Sequence, residues 1–117
     1  MDWTKMPATS KHVYGRYTRE AVIVLGKLIA LGRKRRRMTA QVLAERVGIS
    51  RGTLQRLERG DPKVEIGVVF EAAAIVGVAL FESDLKQLTT LSDRTADRLA
   101  LLPKYVREPA DTVDDDF

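Results

Sequence analysis

Arginine is the residue that gives this 117-residue chain its chemistry. If the segment 51–59 is helical, Arg51, Gly52, Gln55 and Arg56 fall on its outer side. A guanidinium carries paired N–H donors that match the O6 and N7 acceptors of guanine, so such a face suits the major groove of DNA. The second cationic feature is the run Arg33-Lys34-Arg35-Arg36-Arg37, the densest charge in the sequence. Beside a DNA-reading helix, Lys34, Arg35, Arg36 and Arg37 are expected to meet phosphates. The plainer alternative is a solvated helix end, where cations complement the helix dipole.

Other chemistries are poorly supplied. There are no cysteines, which excludes disulfides, thiolate metal sites and a cysteine nucleophile. His12 is the single histidine, so a histidine metal site is not expected, and no cofactor is. Glu82 and Asp84 form an acidic pair, but at a helix boundary, where capping explains them. Ser50 has no base nearby in sequence, and no glycine-rich phosphate loop is present. No nucleophile, base and orienting group assemble, so an enzyme is not expected. No apolar run approaches the roughly 18–20 residues of a membrane span. Met1–Thr9 also lacks the apolar stretch of a signal peptide. The expected location is the cytoplasm, at the nucleoid through DNA binding.

The net charge of +4 conceals two opposed halves. Residues 1–63 hold 15 Lys/Arg against 5 Asp/Glu, whereas residues 64–117 hold 5 against 11. A basic half suits a polyanion. From Glu108 to Phe117 there are five carboxylates and no cation. Such a tail is either a solubilising terminus or a segment that docks on a partner, and the terminal Phe117 favours docking.

The elements that must position these residues are helical. Residues 1–17 have no period and read as a flexible arm. Thr18 is expected to cap a helix from Arg19 to about Arg36, with Val22, Leu25 and Ile29 on one face. Thr39–Val47 repeats the pattern, Gly48 breaks it, and Ser50 can cap a third helix, Arg51–Arg59. Ala44 is small where two helices cross, Gly48 tolerates a positive φ, and Ile49 plugs the turn from inside. Gly60-Asp61-Pro62 is a stop signal. Residues 66–76 read as a buried fourth helix ending at Gly77. Ser83 is expected to cap a short fifth helix and Ser92 a sixth that ends before Pro103, with a short strand at Tyr105-Val106 able to pair with a second subunit.

The stretch Ala40–Gly60 resembles the helix-turn-helix of the Xre/phage-repressor family, and the likeness extends over residues 25–81. It is carried by Leu25-Gly26, Ile29, Arg33-Lys34, Met38-Thr39, then Gly48-Ile49-Ser50-Arg51-Gly52-Thr53-Leu54 and Leu57-Glu58-Arg59-Gly60. The resemblance implies an all-α, five-helix lambda-repressor-like domain with a C-terminal extension. The expected organisation is an arm at 1–17, the DNA-binding domain at 18–91 and a C-terminal helix with acidic tail at 92–117. Carried over by position, Ser50, Arg51, Gly52 and Arg56 fall where the family touches bases, and Thr39, Thr53 and Arg59 where it touches phosphates. Arg33 and Glu58 match a partly buried ion pair, which removes Arg33 from the DNA-contact set. Two positions depart from the pattern. Ala40 stands where the family often has a phosphate-binding Gln, with Gln41 one place on, and Gly52 has no side chain to reach a base.

The order Leu101-Leu102-Pro103-Lys104-Tyr105-Val106-Arg107, with Asp114-Asp115-Asp116-Phe117 at the end, resembles antitoxins of the HipB type. That likeness implies a homodimeric, operator-binding repressor that also binds and neutralises a HipA-like kinase toxin, with Tyr105, Asp114, Asp115, Asp116 and Phe117 as partner-binding residues. The alternative is a stand-alone Xre-family regulator without a toxin. An adaptor whose basic half merely solvates the fold is a third reading. Residues 78–102 are the expected dimer surface, because one recognition helix reads only a few base pairs and a palindromic operator needs two.

Overall fold

Helix α1 (Arg16–Arg35) starts one turn earlier than the sequence predicts. Gly15 holds the N-cap position without a side-chain bond, and the Arg19 N–H donates to its carbonyl at 3.1 Å. Nothing between Gly15 and Thr18 breaks a helix, so α1 runs past the threonine and its cap goes unused. A computed structural model of the chain describes residues 13–81 and 84–106; His12, Ser83 and the tail residues Asp114, Asp115, Asp116 and Phe117 lie outside them. Within the described residues the chain is all-α, as expected, with α2 (Ala40–Val47), α3 (Arg51–Glu58), α4 (Ile66–Ile75) and α5 (Leu85–Ala100) following α1.

Helices α1 to α4 share one core. Ile29 from α1, Leu43 and Ala44 from α2, Leu54 and Leu57 from α3, and Ala72, Ala73 and Val76 at the end of α4 are buried together. Each fully buried Ile or Leu contributes about 1.5–3 kcal/mol, so these few side chains hold the helices in place. Close approach completes the packing. A Cβ on Gly26 would lie 2.6 Å from the Leu57 carbonyl oxygen and 2.8 Å from that of Glu58. Only glycine lets α1 lie against the backbone at the end of α3.

Helices α1 to α4 all end in the same hydrogen-bonded motif, in which a left-handed residue, Gly48 after α2, turns the chain and the next N–H reaches back to the last turn. After α3, Gly60 (φ 83°) fills the left-handed position and the Asp61 N–H donates to the Arg56 carbonyl at 3.0 Å. After α4 it is Gly77 (φ 78°), with the Val78 N–H on the Ala73 carbonyl at 2.8 Å. After α1, the Arg37 N–H bonds Lys34 at 2.9 Å and the Met38 N–H bonds Arg33 at 3.1 Å. There the left-handed residue is Arg37, at φ 55°. An L-residue with a Cβ is strained in that region.

The chain divides into two compact units, Met1–Leu80 and Phe81–Phe117, so the division falls ahead of α5. The two short helices predicted for this region are one. Asp84 caps α5 by accepting from the Gln87 N–H at 2.9 Å, and Ser92 sits inside the helix. The Thr89, Thr90 and Thr95 hydroxyls donate to the carbonyls of Leu85, Lys86 and Leu91, so they are satisfied within the helix. Tyr105 and Val106, predicted as a short strand, are exposed irregular chain.

Candidate nucleic-acid interface

The α2–α3 corner is built from local bonds. Thr39 caps α2, its Oγ1 accepting the Val42 N–H at 3.1 Å. At the other end Gly48 adopts φ 87°, and the N–H groups of Gly48 and Ile49 both donate to the Ala44 carbonyl, at 2.8 and 2.9 Å. Ile49 is half-buried against the core. Ser50 then caps α3, its Oγ accepting the Thr53 N–H at 3.0 Å and donating to Thr53 Oγ1 at 3.0 Å. The serine's one proton is therefore spent on Thr53, so Ser50 works first as a cap.

Beyond this corner α3 shows an outer side. Arg51, Gly52, Gln55 and Arg59 are exposed, while Leu54 and Leu57 face the core. A Cβ on Gly52 would meet only Ser50 Oγ, at 3.8 Å. Packing therefore does not require glycine there, and its effect is to leave the backbone of the first turn open to close approach. Ala40 packs against the core, and Gln41 is exposed with its amide on Glu45 at 2.8 Å.

The five-cation run splits by use. Arg33 spends every guanidinium nitrogen: Nε on Glu58 Oε2 at 2.8 Å, Nη2 on Glu58 Oε1 at 3.0 Å, and Nη1 on the Met38 carbonyl at 3.1 Å. One side chain thus ties the end of α1, the α1–α2 loop and the end of α3. The hydrogen bonds that Arg33 donates to Glu58 hold it more basic than usual, against the opposing effect of burial. Arg36 also has a contact inside the fold. Its guanidinium donates to the Val76 carbonyl and lies against Gly77, where a Cβ would collide with it, so Arg36 caps the end of α4. Lys34, Arg35, Arg36 and Arg37 are all exposed.

Arg56 is held differently from Arg33. Its Nε donates to Asp61 Oδ2 at 2.9 Å, and its side chain remains 41% exposed. The other oxygen of Asp61 accepts the Lys63 N–H at 2.9 Å. The Lys63 amide, followed by the Arg56 guanidinium, keeps the Asp61 carboxyl below the usual carboxylate range. Near this loop, a cavity of about 430 Å³ is lined by Arg16, Arg19 and Lys63 with the single acid Glu20. In the sequence Asp61 figures only as part of a helix stop, and Lys63 is not singled out. The signal for Asp61 was present, since an acid just after a glycine helix stop lies within reach of the helix's last turn.

Residues 29–82 match the family model described as "Helix-turn-helix". Residues 29–82 are a helix-turn-helix domain. No curated protein and no solved structure matches the chain. The helix-turn-helix domain is a DNA-binding regulatory module, and it contains Ser50, Arg51, Gly52, Thr53, Arg56 and Arg59 as well as the Arg33–Glu58 pair. Tyr105 lies outside it, in the second unit, with the Lys104 ammonium 5.8 Å from its ring centre. Among the described residues no cluster of acids and histidines could hold a metal ion, and no helix is long and apolar enough to cross a membrane.

Proposed function

We propose that the protein is a sequence-specific transcriptional repressor that binds operator DNA as a homodimer, with α3 as its recognition helix. The observation that carries this reading is the outer side of α3, where Arg51, Gly52 and Gln55 stand exposed on a helix capped at both ends and fixed by Leu54 and Leu57. In this reading Arg51 and Arg56 read base edges, and Ser50 and Gly52 allow close approach of the first turn. Lys34, Arg35, Arg37, Thr39, Thr53 and Arg59 meet phosphates. Arg36 joins that set through the part of its guanidinium that the Val76 carbonyl leaves free. The cations Arg16, Arg19 and Lys63 extend the basic surface. Two copies are needed because a single helix covers only a few base pairs.

The finer reading is an antitoxin that neutralises a HipA-like kinase toxin and represses the operon encoding both. The resemblance of residues 101–107 and 114–117 to HipB-type antitoxins supports it. So does the second unit, where Leu99, Leu102, Tyr105 and Val106 line an apolar groove suited to a protein partner. Mobility shifts on DNA upstream of the protein's own gene test the repressor. A retarded, salt-sensitive complex that specific competitor removes is the expected result. Purification from the native host tests the antitoxin: a co-purifying kinase supports it, and DNA-bound protein with no such partner leaves the stand-alone regulator.

A further inference from the structure

Two arginines in the helix-turn-helix domain pair with acids, and they do so in opposite ways. Arg33 meets Glu58 through two nitrogens and a carbonyl through the third, so every nitrogen of its guanidinium is already engaged within the fold. Arg56 meets Asp61 through Nε alone, and among the described residues its two terminal nitrogens donate to nothing. Those two nitrogens form the fork that pairs with guanine O6 and N7.

Asp61 is itself held from both sides. Its backbone N–H donates to the Arg56 carbonyl at 3.0 Å, its Oδ2 accepts from Arg56 Nε, and its Oδ1 accepts the Lys63 N–H across Pro62. The turn that delivers Asp61 is locked in turn. Gly60 is left-handed, and a Cβ there would lie 2.6 Å from Ile23 Cα on α1. The carboxylate is thus fixed to the body of the domain before any DNA arrives.

We propose that Asp61 is a positioning residue that orients Arg56 for bidentate reading of guanine, and that the C-terminal cap of α3 is the device that holds it. This rests on the reading of α3 as a recognition helix. A long side chain fixed at Nε loses little freedom on binding, and its terminal fork is presented in one plane. The same arrangement explains an acid on a surface otherwise suited to phosphate. Asp61 costs some attraction to the backbone and returns it as discrimination at one base pair.

The test is selection from a randomised duplex DNA pool by the full chain as wild type, Arg56→Ala, Asp61→Asn and the double variant, with thermal melts alongside. Asparagine keeps an oxygen for the Lys63 N–H, so the cap survives while the charge that steers Arg56 is lost. Wild type is expected to enrich guanine at one position per half-site that Arg56→Ala abolishes. Asp61→Asn lowers that preference about tenfold, within the range for one bidentate contact, leaves the other positions unchanged, and adds nothing in the Arg56→Ala background. A folded Asp61→Asn variant with undiminished guanine preference overturns the proposal. So does a uniform rise in affinity for all duplexes, which would make Asp61 a simple repeller of phosphate. No enrichment by wild type would overturn the recognition-helix reading itself, and is told apart because Arg56→Ala would then change nothing.

Discussion

Replacing Arg37 with glycine is expected to stabilise the protein while weakening its hold on DNA. Arg37 is the left-handed residue at the end of α1, at φ 55°, in a motif whose counterparts after α2, α3 and α4 are Gly48, Gly60 and Gly77. Left-handed backbone costs a residue with a Cβ roughly 1–2 kcal/mol. Glycine removes that strain but adds roughly 0.5–1 kcal/mol of unfolded-state entropy. The net gain is about 0.5–1 kcal/mol, which raises the melting temperature of a domain this size by roughly 2–8 °C. Removing the cation takes away one proposed phosphate contact. The slope of log affinity against log salt should therefore fall by about 0.9. Thermal melts and anisotropy titrations at several salt concentrations read the two effects on one preparation. Arg37→Asn, uncharged but tolerant of the left-handed region, separates strain from charge. A lower melting temperature for Arg37→Gly refutes the strain argument, and an unchanged salt slope refutes the phosphate contact.

Other perturbations follow from the same geometry. Glu58→Ala leaves the Arg33 guanidinium, whose side chain is 12% exposed, without its partner, and is expected to cost about 3 kcal/mol in urea unfolding. Glu58→Gln keeps one acceptor oxygen for Arg33 but sets an NH2 group against its other donor, so it recovers only part of that loss. Gly26→Ala drives a Cβ into the backbone at the end of α3 and should cost about 1–3 kcal/mol by overpacking, measured by thermal or urea melts. Asp61 titrates below the usual carboxylate range in the fold, so its stabilising contribution is complete above the unfolded value of about 3.9 and is lost as pH falls through the lower folded value. Acid unfolding of wild type should therefore narrow its stability advantage over Asp61→Asn below that pH.

The helix-turn-helix was legible in the sequence because local rules fix it. Leu43, Ala44, Leu54 and Leu57 keep helical spacing, Gly48 is at the one position in the corner that needs a positive φ, and Thr39 and Ser50 each cap from the residue before the helix. Capping residues proved ambiguous where nothing else stopped the helix. Thr18 and Ser92 both have cap chemistry, yet α1 and α5 run straight through them. The uses of the cations were only half legible. Arg36 finds its carbonyl 40 residues away at the end of α4, a contact no local pattern encodes. Arg56 and Asp61 are five residues apart, but their pairing depends on the turn that Gly60 makes, which becomes visible only once the helix end is known.

The central claim is that α3 reads DNA through its arginines. Anisotropy with the duplex selected by wild type, set against scrambled duplex, measures it directly for wild type and the Arg51→Ala/Arg56→Ala variant. Wild type should bind the selected duplex about 10³-fold or more tightly than the scrambled one. The double variant, folded by its melt, should lose most of that ratio while keeping salt-sensitive binding to any duplex. An equal ratio for the two proteins would contradict the account.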